Sequence, residues 1–325
     1  MATYDRSQFV TNTPMEEVLF DFLEDQNDFI ADKVFTPKPV KKSDNKVYQA
    51  DTSKLRLIDT EAATNGTAKL ITEQLFARNF TLVEHKAGAE INPRDQRDAD
   101  IPYFFTETRK AKIATRALLM KREAIAASLA TTAGNYPAAL TTSLSAGSRW
   151  DDTGDPETQK QTADQALLLK SGIKRANAVA FDIATLRKLR TNAKFISRTQ
   201  YTYGKPLDLD IFKMYLDVDY IFVAGGVYDS ANEGATPNIG SFWGKDALFF
   251  YYNPSNGIED VSFGHMYMVN TAIWQKTILD ESRNGVAGSI RRVEVGTEYL
   301  LDKGFVESSS SNKFSAGYLY KNVIS

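Results

Sequence analysis

Residues 106–133 read TETRKAKIATRALLMKREAIAASLATTA, 28 positions of good helix formers with no Gly, no Pro and few β-branched residues. Gly134 stands where a helix C-terminal glycine belongs, and Pro137 follows three residues later. At 1.5 Å per residue the segment predicts a rod of roughly 42 Å. Helices in globular proteins average about 11–12 residues, so this one is an organising element around which the remainder must pack.

The rest of the chain is long enough to give that rod a core. Of 325 residues, 42% are hydrophobic and 25% charged, which describes an ordinary folded protein of one large or two modest domains. With 39 Lys+Arg against 41 Asp+Glu, the formal charge is -2. That balance argues against a broad phosphate-tracking surface and is compatible with a local basic patch. There is no cysteine, which removes disulfides, thiolate metal sites and cysteine nucleophiles together and fits assembly in a reducing cytoplasm. The N-terminus has neither a basic n-region nor an apolar h-region, and no apolar run approaches the roughly 18 residues of a membrane span. The expectation is a soluble intracellular product.

Ahead of the rod the sequence changes character twice. Residues 14–34 carry Val18, Phe22, Phe29 and Ile30 near helical spacing among Glu16, Glu17, Asp21, Glu24, Asp25, Asp28 and Asp32. Lys33, Lys38, Lys41, Lys42 and Lys46 then surround Pro37 and Pro39, which predicts an extended arm rather than packed core. Residues 47–84 punctuate polar sequence with Val47–Tyr48, Leu55–Leu57, Leu70–Ile71 and Leu82–Val83, and Asn65–Gly66 supplies a turn. This predicts a long two-stranded hairpin with little apolar face of its own, which needs a neighbour to hold it. Residues 88–105 read as a charged connection into the rod.

Behind the rod, residues 138–153 are a Ser/Thr/Ala/Gly loop. A second helix has Asp155 as N-cap, Pro156 at its first position and Gly172 near its end. From Ala176 the pattern is mixed. Asn177–Phe181 is a short strand, Asp182 caps a helix with Leu186 and Leu189, and Asp208 caps another with Leu209, Phe212 and Leu216 on one face. Tyr220–Val223 and Ala247–Tyr252 are strongly β-forming and are joined by a loop at 229–241. In Phe249–Tyr252, alternation sends one aromatic pair to the core and the other toward a neighbour. Strands resume near Ile273–Leu279, Ile290–Val295 and Ala316–Val323, with SSSSN at 308–312 as a turn.

Catalytic chemistry is hard to find. His85 and His265 stand in unrelated contexts and read as surface or interface residues. The chain has no G-x-S-x-G, Walker or G-x-G-x-x-G motif, and Gly225–Gly226 reads as a plain turn. Asp151, Asp152 and Asp155 lie in a WDDTGD run whose glycine and final ligand are misplaced for a calcium loop, and capping by Asp155 explains part of it. Asp208/Asp210 and Asp217/Asp219 read as dipole and turn residues at the two ends of one helix.

The order of parts is an amphipathic arm, a weakly self-supporting hairpin, a long helix, and a mixed α/β domain interrupting a strand-rich remainder. That order, with the text ARNFTLVEHKAGAEINPRDQRDADIPYFFTETRKAKIATRALLMKREAIAASLA and ANAVAFDIATLRKLRTN, resembles the major capsid proteins of tailed double-stranded DNA phages. The fold is shared with herpesvirus capsid floors and encapsulin shells, and the resemblance covers roughly residues 14–325. It implies an α+β tailed-phage major capsid fold, divided as an N-terminal arm (1–46), an extended hairpin or E-loop (47–87), a peripheral domain with the spine helix 106–133 (88–175), a mixed α/β axial domain (176–262), and returning peripheral strands with a C-terminal strand (263–325).

The function it implies is mechanical: pentamers and hexamers of the chain closing an icosahedral shell around the phage genome. The implied partners are other copies, a separate scaffolding protein, a portal, a decoration protein and non-specifically contacted double-stranded DNA, with no membrane. The implied location is the virion, assembled in the host cytoplasm. No catalytic residue, cofactor or metal is implied, and the Lys–Asn cross-linking of some members does not map onto this sequence. Candidate inter-subunit contacts are Lys38, Lys41, Lys42, Lys54, Arg56, Lys69, Arg78, Arg94, Arg97 and Arg109. An encapsulin-type nanocompartment and an α/β enzyme are the alternatives.

Overall fold

The computed structural model describes residues 28–50, 57, 60–61, 75–92, 107–199, 209–232, 234–255, 261–269, 273–280, 290–303 and 315–325. In chain order, α1 (Ala31–Val34) leads into β1 (Thr36–Pro39), β2 (Asp44–Ala50), β3 (Leu75–Thr81), β4 (Val83–Ile91) and the long helix α2 (Glu107–Thr131). Then come β5 (Thr141–Ser143), α3 (Pro156–Ser171), β6 (Ala178–Asp182), α4 (Ile183–Arg190), α5 (Ala193–Thr199), α6 (Leu209–Leu216), β7 (Tyr220–Ala224), β8 (Val227–Asp229) and β9 (Ile239–Ser241). The chain finishes with β10 (Ala247–Phe250), β11 (Gly264–Met268), β12 (Trp274–Asp280), β13 (Ile290–Lys303) and β14 (Gly317–Lys321).

Two five-stranded sheets organise these elements. The first is built on β13, whose 14 residues are long enough to serve three antiparallel neighbours. β4 lies along one side, from Arg291↔Ile91 to Tyr299↔Val83. β12 and β11 share the other side end to end, and β1 adds in parallel beyond β11. The second sheet runs β5-β14-β10-β6-β7, with parallel pairs at each edge.

The long helix belongs to both sheets. Its Ala111 packs with Ile91 and Val293, and its Ala114 and Leu118 pack with Val295. Further along, Ala126, Ala127 and Ala130 join Leu248 and Phe250 of the second sheet. Small residues let the helix approach a sheet closely, which is why this half is written in alanine. The opposite face of the second sheet is covered by Ala163 and Leu167 of α3, Leu186 and Leu189 of α4, and Phe212 and Leu216 of α6. Phe249 therefore enters one core and Phe250 the other, both fully buried. The expectation that one aromatic pair would face a neighbouring chain fails here, because the chain covers both faces of β10 itself.

The rod ends by a different device from the predicted glycine cap. The helix stops at Thr131, and Gly134 sits inside a short 3-10 turn, Ala133–Asn135. Each of the last four carbonyls instead accepts from a side chain. Thr132 Oγ1 donates to Ser128 O at 2.6 Å, Asn135 Nδ2 to Leu129 O at 3.0 Å, Tyr136 OH to Ala130 O at 2.6 Å, and Lys321 Nζ to Thr131 O at 3.1 Å. All four orphan acceptors of a helix end are satisfied without a left-handed residue.

The caps of the later helices are as the sequence predicts. Asp155 accepts from Glu157 N and Asp182 from Ala184 N, and Gly172 closes α3 at φ 68°. The Asp208 cap, the 308–312 turn and the Asn65–Gly66 turn lie outside the described residues.

Other expectations change as well. Residues 30–39 are packed rather than an extended arm: Ile30, Val34 and Phe35 are fully buried and Thr36–Pro39 is a sheet strand. Residues 88–91 are the end of β4, not connection. The 138–153 loop contains β5, and the 229–241 loop is closed by the β8–β9 pair. His265 is buried on β11, and His85 is half-buried with its ring stacked on Tyr299 at 4.4 Å.

Candidate functional site

The N-terminal segment is fastened to the body by a carboxylate in the middle of the long helix. Glu123 is fully buried. Its Oε1 accepts from Ile30 N at 3.2 Å and from the Trp243 indole at 2.6 Å, and its Oε2 accepts from Ala31 N at 2.8 Å. α1 has no capping side chain of its own, so a residue more than 90 positions away performs that role. Burial raises the Glu123 pKa above its ordinary value, and the three donors pull it partly back. Arg122 donates to Asp32 at 2.7 Å beside this junction.

Two glycine positions complete the fastening. A Cβ on Gly225 would lie 2.9 Å from the Asp28 carboxylate, and one on Gly226 would lie 2.9 Å from the Phe29 ring. Gly225 N also donates to Asp28 O at 3.0 Å. The glycine pair that read as a plain turn is thus a close-approach seat for the incoming chain. Phe35 then lies over Gly264 and against Phe263, and β1 pairs with β11.

The hairpin has a defined base. β2 and β3 pair from Asp44↔Thr81 to Ala50↔Leu75, and Leu82 N donates to Ser43 O at 2.9 Å. Its described apolar support is small: Phe80 stacks on Tyr267 of β11 at 4.7 Å, with Leu82 beside them. A ladder with so little core beneath it depends on further contact to be held straight.

The face of the first sheet away from the long helix is charged. Gly296 sits between Lys86 and Trp274 in the strand register, and the missing side chain makes room for the indole. The Lys86 ammonium lies 5.6 Å from that ring. Around this row Arg292 pairs with Glu90 and Glu294, and Lys86 with Glu84. One half-buried aromatic within a ring of charged residues is a composition typical of contact surfaces.

Of the predicted contact residues, Lys38 is half-buried on β1 opposite Tyr267, and Lys41 and Lys42 are exposed in the bend before β2. Arg78 lies on β3 opposite Val47, so these four gather around the hairpin base. Arg109 is on a different element, the first turn of α2. Lys54, Arg56, Lys69, Arg94 and Arg97 lie outside the described residues.

The paired carboxylates are occupied by structural work. Asp151 accepts from the backbone and hydroxyl of Ser325, and Asp152 from Gly147 N. Asp155 caps α3 and accepts from Tyr215, whose phenol is pushed up to about 12 by burial and that carboxylate. Arg175 bridges Asp217 and Asp219. No group of three or more metal-ligating side chains occurs among the described residues.

Sequence reasoning missed Glu123 and Trp243. The available signal was position: Glu123 falls on the helical face of Leu119, Ala126, Ala127 and Ala130, where an acid must have buried partners.

With this geometry in view, comparison with known proteins gives a consistent result. No protein-family model matches the chain. The chain is 23% identical over 297 residues to the major capsid protein of Burkholderia phage BcepMu, covering 86% of this chain and 91% of that protein. A crystal structure of a phage-related protein from Bordetella bronchiseptica RB50 matches with a TM-score of 0.70 at 20% identity, over 97% of this chain and 98% of that one. The capsid structure of cyanophage P-SCSP1u matches with a TM-score of 0.51 at 10% identity, over 89% and 86%. The architecture is the α+β fold of phage capsid proteins.

Proposed function

We propose that this chain, a structural capsid-shell protein of the tailed-phage type, tiles an icosahedral shell as pentamers and hexamers around a double-stranded DNA genome. The observation that carries the reading is the coincidence of two likenesses over nearly the full chain: in sequence to a phage major capsid protein, and in fold to phage capsid structures. The sequence likeness to a phage protein favours this reading over a cargo compartment, and the structural use of the paired acids favours it over an α/β enzyme.

In mechanical terms, the second sheet with its helices would serve as the axial unit, meeting its equivalents around each capsomer centre. The first sheet and long helix would serve as the peripheral unit. The sheet topology supports that division with two adjustments. β1 of the arm belongs with the peripheral sheet, and β5 and β14 belong with the axial one. The hairpin over 47–87 would lie across a neighbouring copy, supplying the support its own base lacks. Lys38, Lys41, Lys42 and Arg78 near that base, with Arg109 and with Lys54, Arg56, Lys69, Arg94 and Arg97 outside the described residues, are proposed as contacts between copies. Many modest contacts repeated by symmetry add to a stiff wall. Scaffolding, portal and decoration proteins would be the further partners, and the virion the destination.

Electron microscopy of the expressed chain, with size-exclusion chromatography alongside, tests this directly. Closed shells or five- and six-membered rings are expected. A discrete monomer or dimer that stays so when a phage scaffolding protein is co-expressed would overturn it.

A further inference from the structure

Two exposed surfaces on the unit built around the second sheet have opposite chemistry. Between Gly225 and Gly244 the chain carries the acids Asp229 and Glu233 and no basic residue. Between Ile183 and Thr199 it carries Arg187, Lys188, Arg190, Lys194 and Arg198 and no acid. In a chain whose total is -2, this separation puts fields of opposite sign on two patches.

The first surface is the β8–β9 hairpin. Val227 pairs with Ser241 and Asp229 with Ile239, so Val227, Asp229 and Ile239 share one face. That face is open to solvent: Val227 is 50% and Ile239 70% exposed. Asp229 accepts from Ala231 N at 2.9 Å and from Asn238 N at 2.8 Å, which fixes the carboxylate and holds its pKa below the usual value. The other face is covered by the chain itself, through Tyr228 stacked on Phe242 at 4.8 Å.

The second surface is the helix pair α4–α5. Leu186 and Leu189 turn into the core, which leaves Ile183, Arg187 and Arg190 at i, i+4 and i+7 along one outward stripe. All three are exposed, and Lys194 and Ile196 extend the patch into α5. Two of the five cations are already engaged: Arg198 pairs with Glu157, and Lys188 acts on Asp151. Arg187, Arg190 and Lys194 have no carboxylate partner among the described residues.

The two surfaces stand on opposite sides of the sheet. The hairpin packs through Phe242 against the core shared with the long helix, and α4 packs into the other core. Asp182 joins their roots, capping α4 through Ala184 N and accepting from Ser241 Oγ of β9. The fold therefore sets where one surface lies relative to the other. A unit with complementary patches on opposite sides makes head-to-tail contacts, which close into a ring when the rotation per copy allows.

We propose that the face formed by Val227, Asp229 and Ile239 in one copy seats on the stripe of Ile183, Arg187 and Arg190 in the next copy around the capsomer. The inference rests on the shell reading above and deepens it by naming both halves of the contact. The stripe runs about 10 Å at 1.5 Å per residue, and the three-residue strand about 7 Å, so the strand fits within the stripe. The aliphatic side chains supply the buried area, and the charges decide which face meets which.

The test uses two double variants of the full-length chain, R187E/R190E and V227K/I239K, viewed by electron microscopy. Each sets like charges against one another across the contact and is expected to cut the yield of rings and shells about tenfold or more. Both should keep the wild-type unfolding midpoint, because all four positions are exposed. An equimolar mixture of the two decides the matter. There a reversed helix meets a reversed hairpin, and the intact pair meets likewise, so the two chains alternate. Alternation closes a ring of six and not of five, so the mixture is expected to restore hexamers without pentamers. Normal rings from either variant alone overturn the inference, as does a mixture of folded variants that stays unassembled. Should a reversal lower the midpoint, the milder R187Q/R190Q is measured, and normal rings from it overturn the inference as well. A wild-type chain that forms no rings counts against the shell reading instead. The contact is then scored by sedimentation, where association in the mixture beyond that of either variant alone supports it and no such gain overturns it.

Discussion

The Trp243 indole N–H donates to the Glu123 carboxylate at 2.6 Å, joining residues 120 positions apart in the chain. The same carboxylate holds the backbone of Ile30 and Ala31. One buried side chain of the long helix therefore ties together the N-terminal segment, the helix and the loop that precedes β10.

Truncating that side chain leaves three buried donors without an acceptor. Each unsatisfied buried group costs about 1–3 kcal/mol. Glu123→Ala is therefore expected to lose about 3 kcal/mol or more of subunit stability, and Glu123→Gln, which keeps an acceptor oxygen, less. Thermal unfolding of the unassembled chain measures both. An Ala variant as stable as wild type would mean the junction contributes nothing.

The same residue gives a pH dependence. Burial raises the folded-state pKa of Glu123 above 4.5, so the folded chain holds that proton more readily than the unfolded chain does. The stability contributed by the protonated form is fully present below about 4.5 and is lost as pH rises through the raised value. Measured against Glu123→Gln, which cannot titrate, the wild-type advantage should shrink as pH climbs above 4.5. A difference that stays flat or grows with pH would reverse the sign of the shift.

What could be read from the sequence was local. The helix 107–131 declared itself by composition, and Asp155, Asp182 and Gly172 declared their caps because each acts within a few residues of itself. Whatever depends on a distant partner was hidden. Thr36–Pro39 contains two prolines and a lysine and reads as an extended arm outside the core, yet an edge position beside β11 tolerates missing N–H donors. Gly134 looked like a cap because Asn135, Tyr136 and Lys321, which do the capping, could not be placed in advance. Glu123 carries no local mark, because its partners Ile30, Ala31 and Trp243 all lie more than 90 positions away in the chain.

Phe35 and Gly264 form a second fastening point for the N-terminal segment. A Cβ on Gly264 would lie 2.5 Å from the fully buried Phe35 ring, with the backbone oxygen of Asp302 at 3.0 Å on another side. Gly264→Ala is expected to cost about 1–3 kcal/mol through overpacking. Phe35→Ala alone should cost about 3–5 kcal/mol. In the Phe35→Ala background most of the Gly264→Ala penalty should vanish, because the clashing ring is gone. Additive losses in unfolding measurements would show that the two residues do not share the contact.

Truncation at two points separates the arm's role in assembly from its role in folding. Removing residues 1–46 takes away Ile30, Val34 and Phe35, all fully buried, together with β1 and the start of β2. That loss also leaves Glu123 buried with only the indole as donor, so the shortened chain is expected to unfold at markedly lower temperature or to be recovered insoluble. Removing only residues 1–27 leaves every one of those contacts in place. This shorter truncation is expected to keep the wild-type unfolding midpoint while failing to close shells in the microscope, the outcome that a role for the acidic segment between copies requires. Normal shells from the 28–325 chain would remove residues 1–27 from assembly. A folded, stable 47–325 chain would show that the Glu123 and Phe35 junctions do not carry the weight assigned to them.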